Sequence, residues 1–223
     1  MCVCKLMENC ADSIKVTRSL FQVGKGGAVP TSAHDLQLQV ITRNLACECY
    51  RKWHYLGDTL FLSSHDIGVF YNGELLGCIS FGEPNATDLK GYWNRHTQKG
   101  WLEIKRLALS PDCPKNSESR VIAISIRLLK KMLTLKGIVT YADSGVGHVG
   151  TIYKASGFKY LGLTAQKSDF WVNGEIQQRG TTKGILGEWK PRSRKHLFIK
   201  QYEITFLPTP SRRWNQKGFH GAG

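Results

Sequence analysis

The hydrophobic pattern of residues 101–162 constrains the fold of this chain more than any other feature. Leucine and isoleucine recur over 102–109 as in a strand. Pro111 stops that run, because proline lacks the N–H that a strand ladder needs. From Glu118 to Leu133 the large apolar residues fall at helical spacing. This order predicts a strand, a short loop and an amphipathic helix.

A shorter version of the same order follows Gly137, the residue that is expected to end the helix. Residues 138–141 are mostly β-branched and indicate a buried strand. Residues 148–156 are predicted to form a short helix that Gly157 ends, and 158–161 to form a last strand. The sequence therefore predicts a β-α-β-α-β unit, an α/β (α+β) arrangement in which helices cover a layer of strands.

Further elements are predicted on either side of this unit. A helix capped by Thr31 or Ser32 is expected to run to about Gly57, because apolar residues recur along it on one face. Asn72-Gly73 separates two β-like runs and indicates a hairpin with a type I′ turn. Asn173-Gly174 indicates a second, C-terminal hairpin on the same grounds.

The uneven patterning of the chain predicts how it is organised. Residues 1–30 are poorly patterned, 31–207 are predicted to form a single domain, and 208–223 to form a disordered basic tail. The N-terminal cysteines lack metal-ligand spacing, so we expect no metal and free thiols in a reducing cytoplasm. No apolar run approaches the roughly 20 residues of a membrane span, and no secretory signal is recognisable.

The charge balance predicts a polyanionic partner. Thirty-one Lys and Arg residues against 17 Asp and Glu give a formal net charge of +14, which favours nucleic acid over an anionic membrane. Arg192, Arg194 and Lys195 directly precede an apolar strand, which favours a placed phosphate-binding element over a solvated charge run. Arg95 lies in a long polar loop with two aromatic residues, which suit base stacking or simple anchoring of the loop. We expect these four basic residues to bind DNA.

Several separated strings of residues, taken in order along the chain, resemble those of a known family. They are Trp53-His54-Tyr55-Leu56-Gly57, Glu103-x-x-Arg106-Leu107, Lys115 to Arg120, Tyr141-Ala142-Asp143, Gly147 to Phe158, and Arg192 to His196. Together they resemble the Mom family of phage DNA adenine-modification proteins, over about residues 35 to 200. The resemblance implies the acetyltransferase (GNAT) superfamily fold: a mixed central sheet with helices on both faces, here with an extra C-terminal hairpin and a basic tail.

The resemblance also implies a function. Mom proteins are transferases that convert the N6 amine of adenine in phage DNA to an N6-carbamoylmethyl group. The added bulk lies in the major groove, over an atom that restriction enzymes read by hydrogen bonding, and it protects the DNA from the host. The implied partners are DNA and a small-molecule donor, with no membrane, and the implied location is the cytoplasm of the host bacterium.

One departure from the superfamily concerns the donor. The usual pyrophosphate loop carries Gly-x-Gly just before its helix, whereas residues 112–119 contain no glycine. Asn116 and Ser119 offer side-chain donors there and are assigned to substrate binding, while Asn116 or Ser117 can cap the helix. The missing glycines argue against acyl-CoA as the donor. The cofactor is therefore left unknown, with acyl-CoA or a related donor as candidates.

Three residues are assigned to catalysis. Tyr153 lies where the resemblance implies a general acid for a leaving thiolate; packing against Phe158 is the alternative. Asp143 ends a central strand and is expected to orient Tyr153, to accept a proton from the amine or to bind a metal, with an Asx turn as the alternative. Arg106 needs an anionic partner in its apolar strand, either a ligand or Asp143, or else Glu103.

Two further residues are assigned to the substrate. Tyr55 follows the first helix, where the resemblance places the acceptor, and it is expected to stack on an extruded adenine or to pack at the helix end. His54 is assigned to the same site, and His148 is expected to be structural. Other functions are kept open: an acyltransferase acting on an aminomethyl pyrimidine in DNA, a non-catalytic basic DNA-binding protein, or an ordinary acetyltransferase. The oligomeric state is open, a homodimer included.

Overall fold

The computed structural model describes residues 29–57, 61–177 and 184–202. The N-terminal cysteines Cys2, Cys4 and Cys10 and the predicted basic tail lie outside these residues, and the predicted division into domains stays a prediction. The helices are α1 (Arg43–Trp53), α2 (Ser117–Met132) and α3 (Thr151–Ala155). The strands are β1 (Gln37–Val40), β2 (His65–Tyr71), β3 (Glu74–Gly82), β4 (Trp101–Leu109), β5 (Gly137–Asp143), β6 (Lys159–Leu163), β7 (Ser168–Val172), β8 (Glu175–Ile176), β9 (Glu188–Pro191) and β10 (Lys195–Gln201).

Seven strands form one mixed sheet in the order β1-β2-β3-β4-β5-β10-β6. All neighbours pair antiparallel except β4 and β5, which pair parallel. The main core lies between this sheet and the apolar faces of α2 and α3, and a second core lies under α1, which packs on β2, β3 and β4. The predicted fold class, a GNAT-like mixed sheet with helices on both faces, is confirmed.

The predicted β-α-β-α-β unit corresponds to β4, α2, β5, α3 and β6. Val121, Ile122 and Leu129 of α2 are fully buried, as their helical spacing requires. The strand that follows the cationic segment, β10, lies between β5 and β6 rather than beyond them. β10 is therefore the direct neighbour of β5, the strand that ends at the catalytic candidate Asp143.

The single helix predicted from Thr31 or Ser32 to about Gly57 is wrong in its first half. Ser32 caps only one 3₁₀ turn, after which β1 pairs with β2 along the sheet edge. The helix α1 begins at Arg43, capped by Thr42. Residues 37–40 alternate between exposed and half-buried, as in an edge strand, so pairing with β2 outweighs their helical spacing.

Both predicted hairpins are present. Asn72 and Gly73 have φ values of 48° and 82°, and Asn173 and Gly174 have 50° and 85°, as type I′ turns require. The second hairpin gains a third strand, so that β8, β7 and β9 form a separate small sheet. None of the helices in the described part of the chain is long and apolar enough to cross a membrane.

Candidate active site

A cleft opens where the two parallel strands part. β4 and β5 pair at only three positions, the last of which joins Glu103 to Val139. Beyond that pair a cavity of about 770 Å³ lies between the second half of β4 and the end of β5, with the end of α1, the segment that joins β4 to α2, and the start of α3 as its other walls. The carboxyl ends of strands in such sheets are where ligands bind.

Five of the residues predicted for the site line this one cavity. They come from four elements or their ends: His54 and Tyr55 after α1, Arg106 on β4, Asp143 at the end of β5, and Tyr153 in α3. The three catalytic candidates therefore face a common space. The three side chains differ in their hydrogen bonds and packing contacts. These contacts determine which chemical role each residue is able to take.

Tyr153 is held in an aromatic cluster at the back of the cleft. Its ring lies 5.9 Å from that of Phe158 and 5.5 Å from that of Phe198. Gly150, with φ of 72°, begins α3 against the Phe198 ring, so a side chain at this position would collide with it. Burial raises the pKa of Tyr153 above its usual value. The phenol is therefore protonated at neutral pH and able to donate a proton.

Asp143 starts the turn into α3. Its Oδ1 accepts hydrogen bonds from Gly145 N at 2.9 Å and from Ser193 Oγ at 2.6 Å, and its Oδ2 lies 4.0 Å from Lys195 Nζ. Partial burial favours a higher pKa, but the two hydrogen bonds and the nearby Lys195 and His148 hold the pKa of Asp143 below its ordinary value. The Asx turn is thus present, and an anion so well satisfied is a weak base.

Arg106 follows a bulge in β4. Ser80 pairs with Arg106 and Phe81 with Ile104, so Lys105 is the extra residue that turns the strand. The guanidinium donates a 2.8 Å hydrogen bond to Gly57 O and lies 4.3 Å from the centroid of the Phe61 ring.

Glu103 is not the partner of Arg106 among the described residues. Its carboxylate accepts a hydrogen bond from Asn85 N at 2.8 Å and lies 3.3 Å from Lys105 Nζ. The predicted alternative of a Glu103–Arg106 pair is therefore wrong, because each side chain is held by other partners.

A buried polar chain behind Arg106 was missed from the sequence. Tyr50 Oη donates to Ser80 Oγ at 2.7 Å and contacts Arg106 O at 3.2 Å. Ser80 in turn donates to the buried carboxylate of Asp66, which Arg43 approaches at 3.4 Å. Asp66 and Ser80 stand among apolar residues in β2 and β3, and polar residues in such strands are the signal that could have revealed the chain.

His54 and Tyr55 form the outer wall of the cleft. Their rings stack with centroids 4.7 Å apart, and the His148 ring lies nearly perpendicular to that of Tyr55 with a centroid distance of 5.8 Å. His54 Nδ1 accepts a hydrogen bond from Leu56 N at 3.1 Å. Burial, with Arg106 and His148 nearby, lowers the pKa of His54 to about 4. The imidazole is therefore neutral at pH 7, and Tyr55, which is 54% exposed, offers an open aromatic face.

The predicted cationic segment lies at the edge of this cleft. Ser193 and Lys195 contact Asp143 as described, and Ser144 Oγ donates to Arg194 O at 2.6 Å. Arg194 Nε donates to Thr164 O at 2.7 Å. Arg192 lies 3.6 Å from Asp169. The segment is thus fixed in place by β5 and by the chain after β6.

Asn116 and Ser119 do not line the cleft. They line a neighbouring groove of about 610 Å³ between the start of α2, the first 3₁₀ turn and the end of α3. Asn116 adopts a left-handed conformation and makes no capping hydrogen bond through its side chain, while Ser119 Oγ donates to Asn116 O at 3.0 Å. Of the two predicted capping residues, Asn116 is the one at the N-cap position, but its side chain does not make the expected hydrogen bond.

Arg95 is also separate from the cleft. It is exposed in the loop whose Trp93 packs on Trp101, at the start of β4, whereas the cleft is lined by β4 from Glu103 onward. Among the described residues, no three His, Cys, Asp or Glu side chains are grouped so as to hold a metal ion.

The sheet order, the parting of β4 from β5 and the helices on both faces define a protein of the acetyltransferase (GNAT) fold. Solved structures similar to the chain include a putative acetyltransferase from Acinetobacter baylyi, 12% identical with a TM-score of 0.49 over 78% of this chain and 96% of that one. A spermidine/spermine N-acetyltransferase from Vibrio cholerae is 12% identical, with a TM-score of 0.49 over 76% of this chain and 94% of that one.

The family is given by the sequence. The model of the Mom protein family matches residues 35–204, and the chain belongs to this family. The chain is also similar to the methylcarbamoylase mom of Escherichia phage Mu, with 27% identity over 208 residues, which cover 87% of this chain and 86% of that protein. The resemblance found in the separated strings is thereby confirmed.

Proposed function

We propose that this protein is a phage DNA-modification transferase that converts the N6 amine of adenine in DNA to an N6-carbamoylmethyl group. It acts on DNA in the cytoplasm of the host bacterium and protects that DNA from restriction. Membership of the Mom family and the similarity to a phage Mu methylcarbamoylase support a DNA-modifying transferase. The reaction at adenine N6 is proposed in addition, as the specific modification that this transferase makes.

The observation that carries the proposal is the junction between the cationic segment and the cleft. Ser193 and Lys195 both contact the Asp143 carboxylate, and Asp143 lines the cavity that also holds Tyr153 and Arg106. A phosphate backbone bound at the segment would therefore place a neighbouring base at the mouth of the cleft. Tyr55 provides an aromatic surface there for a base that has left the helix stack.

The state of each side chain supports a division of roles. The protonated Tyr153 phenol is suited to protonating the leaving group as the new N–C bond forms, while the proton that the N6 amine loses passes to solvent water. Asp143 is held as an anion by two donors, so it fixes the turn and the cationic segment rather than accepting the amine proton. Arg106 supplies positive charge in the wall of the cleft, where charge that develops during transfer would be stabilised.

The neighbouring groove supports an anionic donor. The first turn of α2 carries no side-chain cap at Asn116, and Lys115, Arg120 and Arg127 line the groove with it. An uncapped helix start beside cations suits a phosphate or pyrophosphate group. An acyl-CoA or a related phosphate-bearing donor would be held there. Because the carbamoylmethyl group is joined to N6 through its methylene carbon, the donor would have to react at that carbon, since transfer of an acyl group would give an amide instead.

Mass analysis of nucleosides tests the proposal. DNA from bacteria that express the protein is expected to contain an adenosine derivative heavier by the carbamoylmethyl group, and DNA from cells with the Asp143→Asn, Tyr153→Phe double variant is expected to lack it. A modified pyrimidine instead of adenine would overturn the assigned base. Modification that persists in the double variant would overturn the assigned site, and tight DNA binding without any modified nucleoside would favour a non-catalytic DNA-binding protein.

A further inference from the structure

The small sheet is an insertion at the edge of the candidate site. It consists of β7, β8 and β9, and the chain enters it from β6 and leaves it into β10. These two strands are neighbours in the main sheet, and β10 pairs with β5 so that Lys195 lies opposite Asp143. The insertion therefore projects from the end of the sheet at which the cleft opens.

Both ends of the insertion are fixed to the main domain. Thr164 N donates to Lys195 O at 2.8 Å, and Lys195 N donates to Thr164 Oγ1 at 3.0 Å. Gln166 Nε2 donates to Arg192 O at 2.7 Å. With the Ser193–Asp143 hydrogen bond, these contacts give the small sheet a set direction relative to the cleft.

The small sheet and the loop before β9 expose large apolar side chains. Leu186 in that loop is 95% exposed and Trp189 of β9 is 63% exposed, whereas Phe170 is buried. The Trp189 ring lies 5.1 Å from that of Phe170, which holds it in place. Exposed apolar side chains three positions apart in the chain are suited to contact with a partner.

Cations accompany this apolar surface. Among the described residues from 164 to 195, five are Lys or Arg and three are Asp or Glu, and three of the five cations lie in the segment 192–195 at the junction with the cleft. Lys190 lies on the other face of the small sheet from Trp189, where it is 2.5 Å from Glu188 and 5.3 Å from the ring centroid of Trp171. The cations near the apolar surface are therefore those of the segment 192–195, and an aromatic side chain beside such cations suits bases, sugars and phosphates together.

We propose that the small sheet is a DNA-docking arm that binds the duplex beside the target adenine. Trp189 and Leu186 pack on bases or sugars that the displacement of the adenine exposes, and the segment 192–195 contacts the adjoining phosphates. This inference rests on the proposed function, because the partner is the DNA that the cleft would modify. A second copy of this chain is the competing occupant of the apolar surface.

The test compares two variants of the full-length protein with a matched control. Leu186→Ser removes a fully exposed side chain, and Trp189→Ala removes the ring. Met132→Ser removes a half-exposed apolar side chain at the far end of α2. Binding of a fluorescein-labelled duplex is followed by anisotropy at fixed salt, circular dichroism checks folding, and analytical ultracentrifugation gives the oligomeric state.

We expect each arm variant to bind DNA at least about fivefold more weakly, as removal of a stacking side chain does elsewhere, and Met132→Ser to bind like the original protein. Nucleoside modification in cells is expected to fall in parallel. Original affinity in both arm variants, with modification intact, would overturn the docking arm but not the proposed function. An original protein that neither binds nor modifies DNA would overturn the proposed function itself. A dimer that the arm variants break apart, at unchanged affinity for DNA, would assign the surface to a second copy.

Discussion

The Ser193 hydroxyl donates a 2.6 Å hydrogen bond to Oδ1 of Asp143. This bond joins the loop before β10 to the last residue of β5, residues that are 50 positions apart in the sequence. It makes the cationic segment and the turn into α3 parts of one structure. A change at Ser193 is therefore expected to reach both DNA binding and the geometry of the cleft.

Ser193→Ala is expected to lower the free energy of unfolding at pH 7 by roughly 1 kcal/mol, because the variant cannot make this hydrogen bond to a partly exposed carboxylate. The pKa of Asp143 is depressed in the folded protein, so this contribution exists above the ordinary Asp pKa and disappears as the pH falls through the folded value. Urea unfolding of the variant and the original protein, at pH 7 and at pH 3, measures the change in unfolding free energy at each pH. Ser156→Ala is the control: it removes a neutral hydrogen bond to Ile152 O and should show no such pH dependence. A destabilisation by Ser193→Ala of equal size at pH 7 and pH 3 would contradict a hydrogen bond to the ionised Asp143.

Tyr153→Phe is expected to reduce DNA modification by about 100-fold or more, the usual effect of losing a general acid, while affinity for DNA is retained. Tyr160→Phe is the matched control, since its hydroxyl contacts His196 outside the cleft at 2.9 Å. The measurement is the fraction of modified adenosine at equal protein levels. Equal reductions in the two variants would show that the Tyr153 hydroxyl is not the acid.

Tyr50→Phe is expected to cost about 1 to 3 kcal/mol of unfolding free energy, because it removes the buried hydroxyl that donates to Ser80 Oγ and to the carbonyl of Arg106. Tyr202→Phe provides the comparison: its buried hydroxyl has no hydrogen-bond partner among the described residues, so its removal should be nearly neutral. Urea denaturation of both variants tests the expectation. Similar values for the two would mean that the polar chain behind Arg106 contributes nothing.

Acid should destabilise the protein partly through His54. The unfolded chain takes up this proton near pH 6.5, but the folded protein does so only at about pH 4. The unfolded state binds more protons between these values, so stability falls as the pH drops from about 6.5 to about 4. His54→Gln is expected to flatten this dependence, measured as the urea midpoint against pH, whereas His34→Gln on an exposed turn is not. An unchanged slope in His54→Gln would mean that His54 charges normally in the folded state.

The combined variant Arg192→Gln, Arg194→Gln, Lys195→Gln is expected to flatten the salt dependence of DNA binding. The slope of log K against log salt falls by about 0.9 for every phosphate that the protein no longer neutralises. Arg194 already donates to main-chain carbonyls, so the folding of the variant is checked by circular dichroism. A folded variant with the original slope would remove the segment from the DNA-binding surface.

The sequence predicted those elements whose signals are local. The apolar period of β4, α2, β5 and α3 is repeated along each element, and Asn-Gly turns determine their hairpins without help from distant residues. Edge strand β1 was missed because its four residues gain their pairing only from β2. The position of β10 between β5 and β6 depends in the same way on residues far apart in the chain.

The candidate site likewise combines residues that local strings predict with contacts between residues far apart in the chain. Tyr153, Asp143, Arg106, Tyr55 and His54 were named through strings that resemble a family, and the structure gathers them around one cavity. The buried contact of Tyr50 with Arg106 joins residues 56 positions apart, and no local pattern encodes it. Asn116 and Ser119 were assigned from the place of the pyrophosphate loop before α2, and a position along the chain does not define which of two neighbouring cavities a helix start faces.

The insertion of β10 between β5 and β6 has a consequence for synthesis. A ribosome releases β4, α2, β5 and α3 well before residues 195–201, so the nascent chain holds an unpaired β5 edge until β10 emerges. Only then can Ser193 and Lys195 meet Asp143. The cleft is thus completed late in translation, and chains that stall before Lys195 are expected to leave the ribosome without an assembled site and with a strand edge open to aggregation.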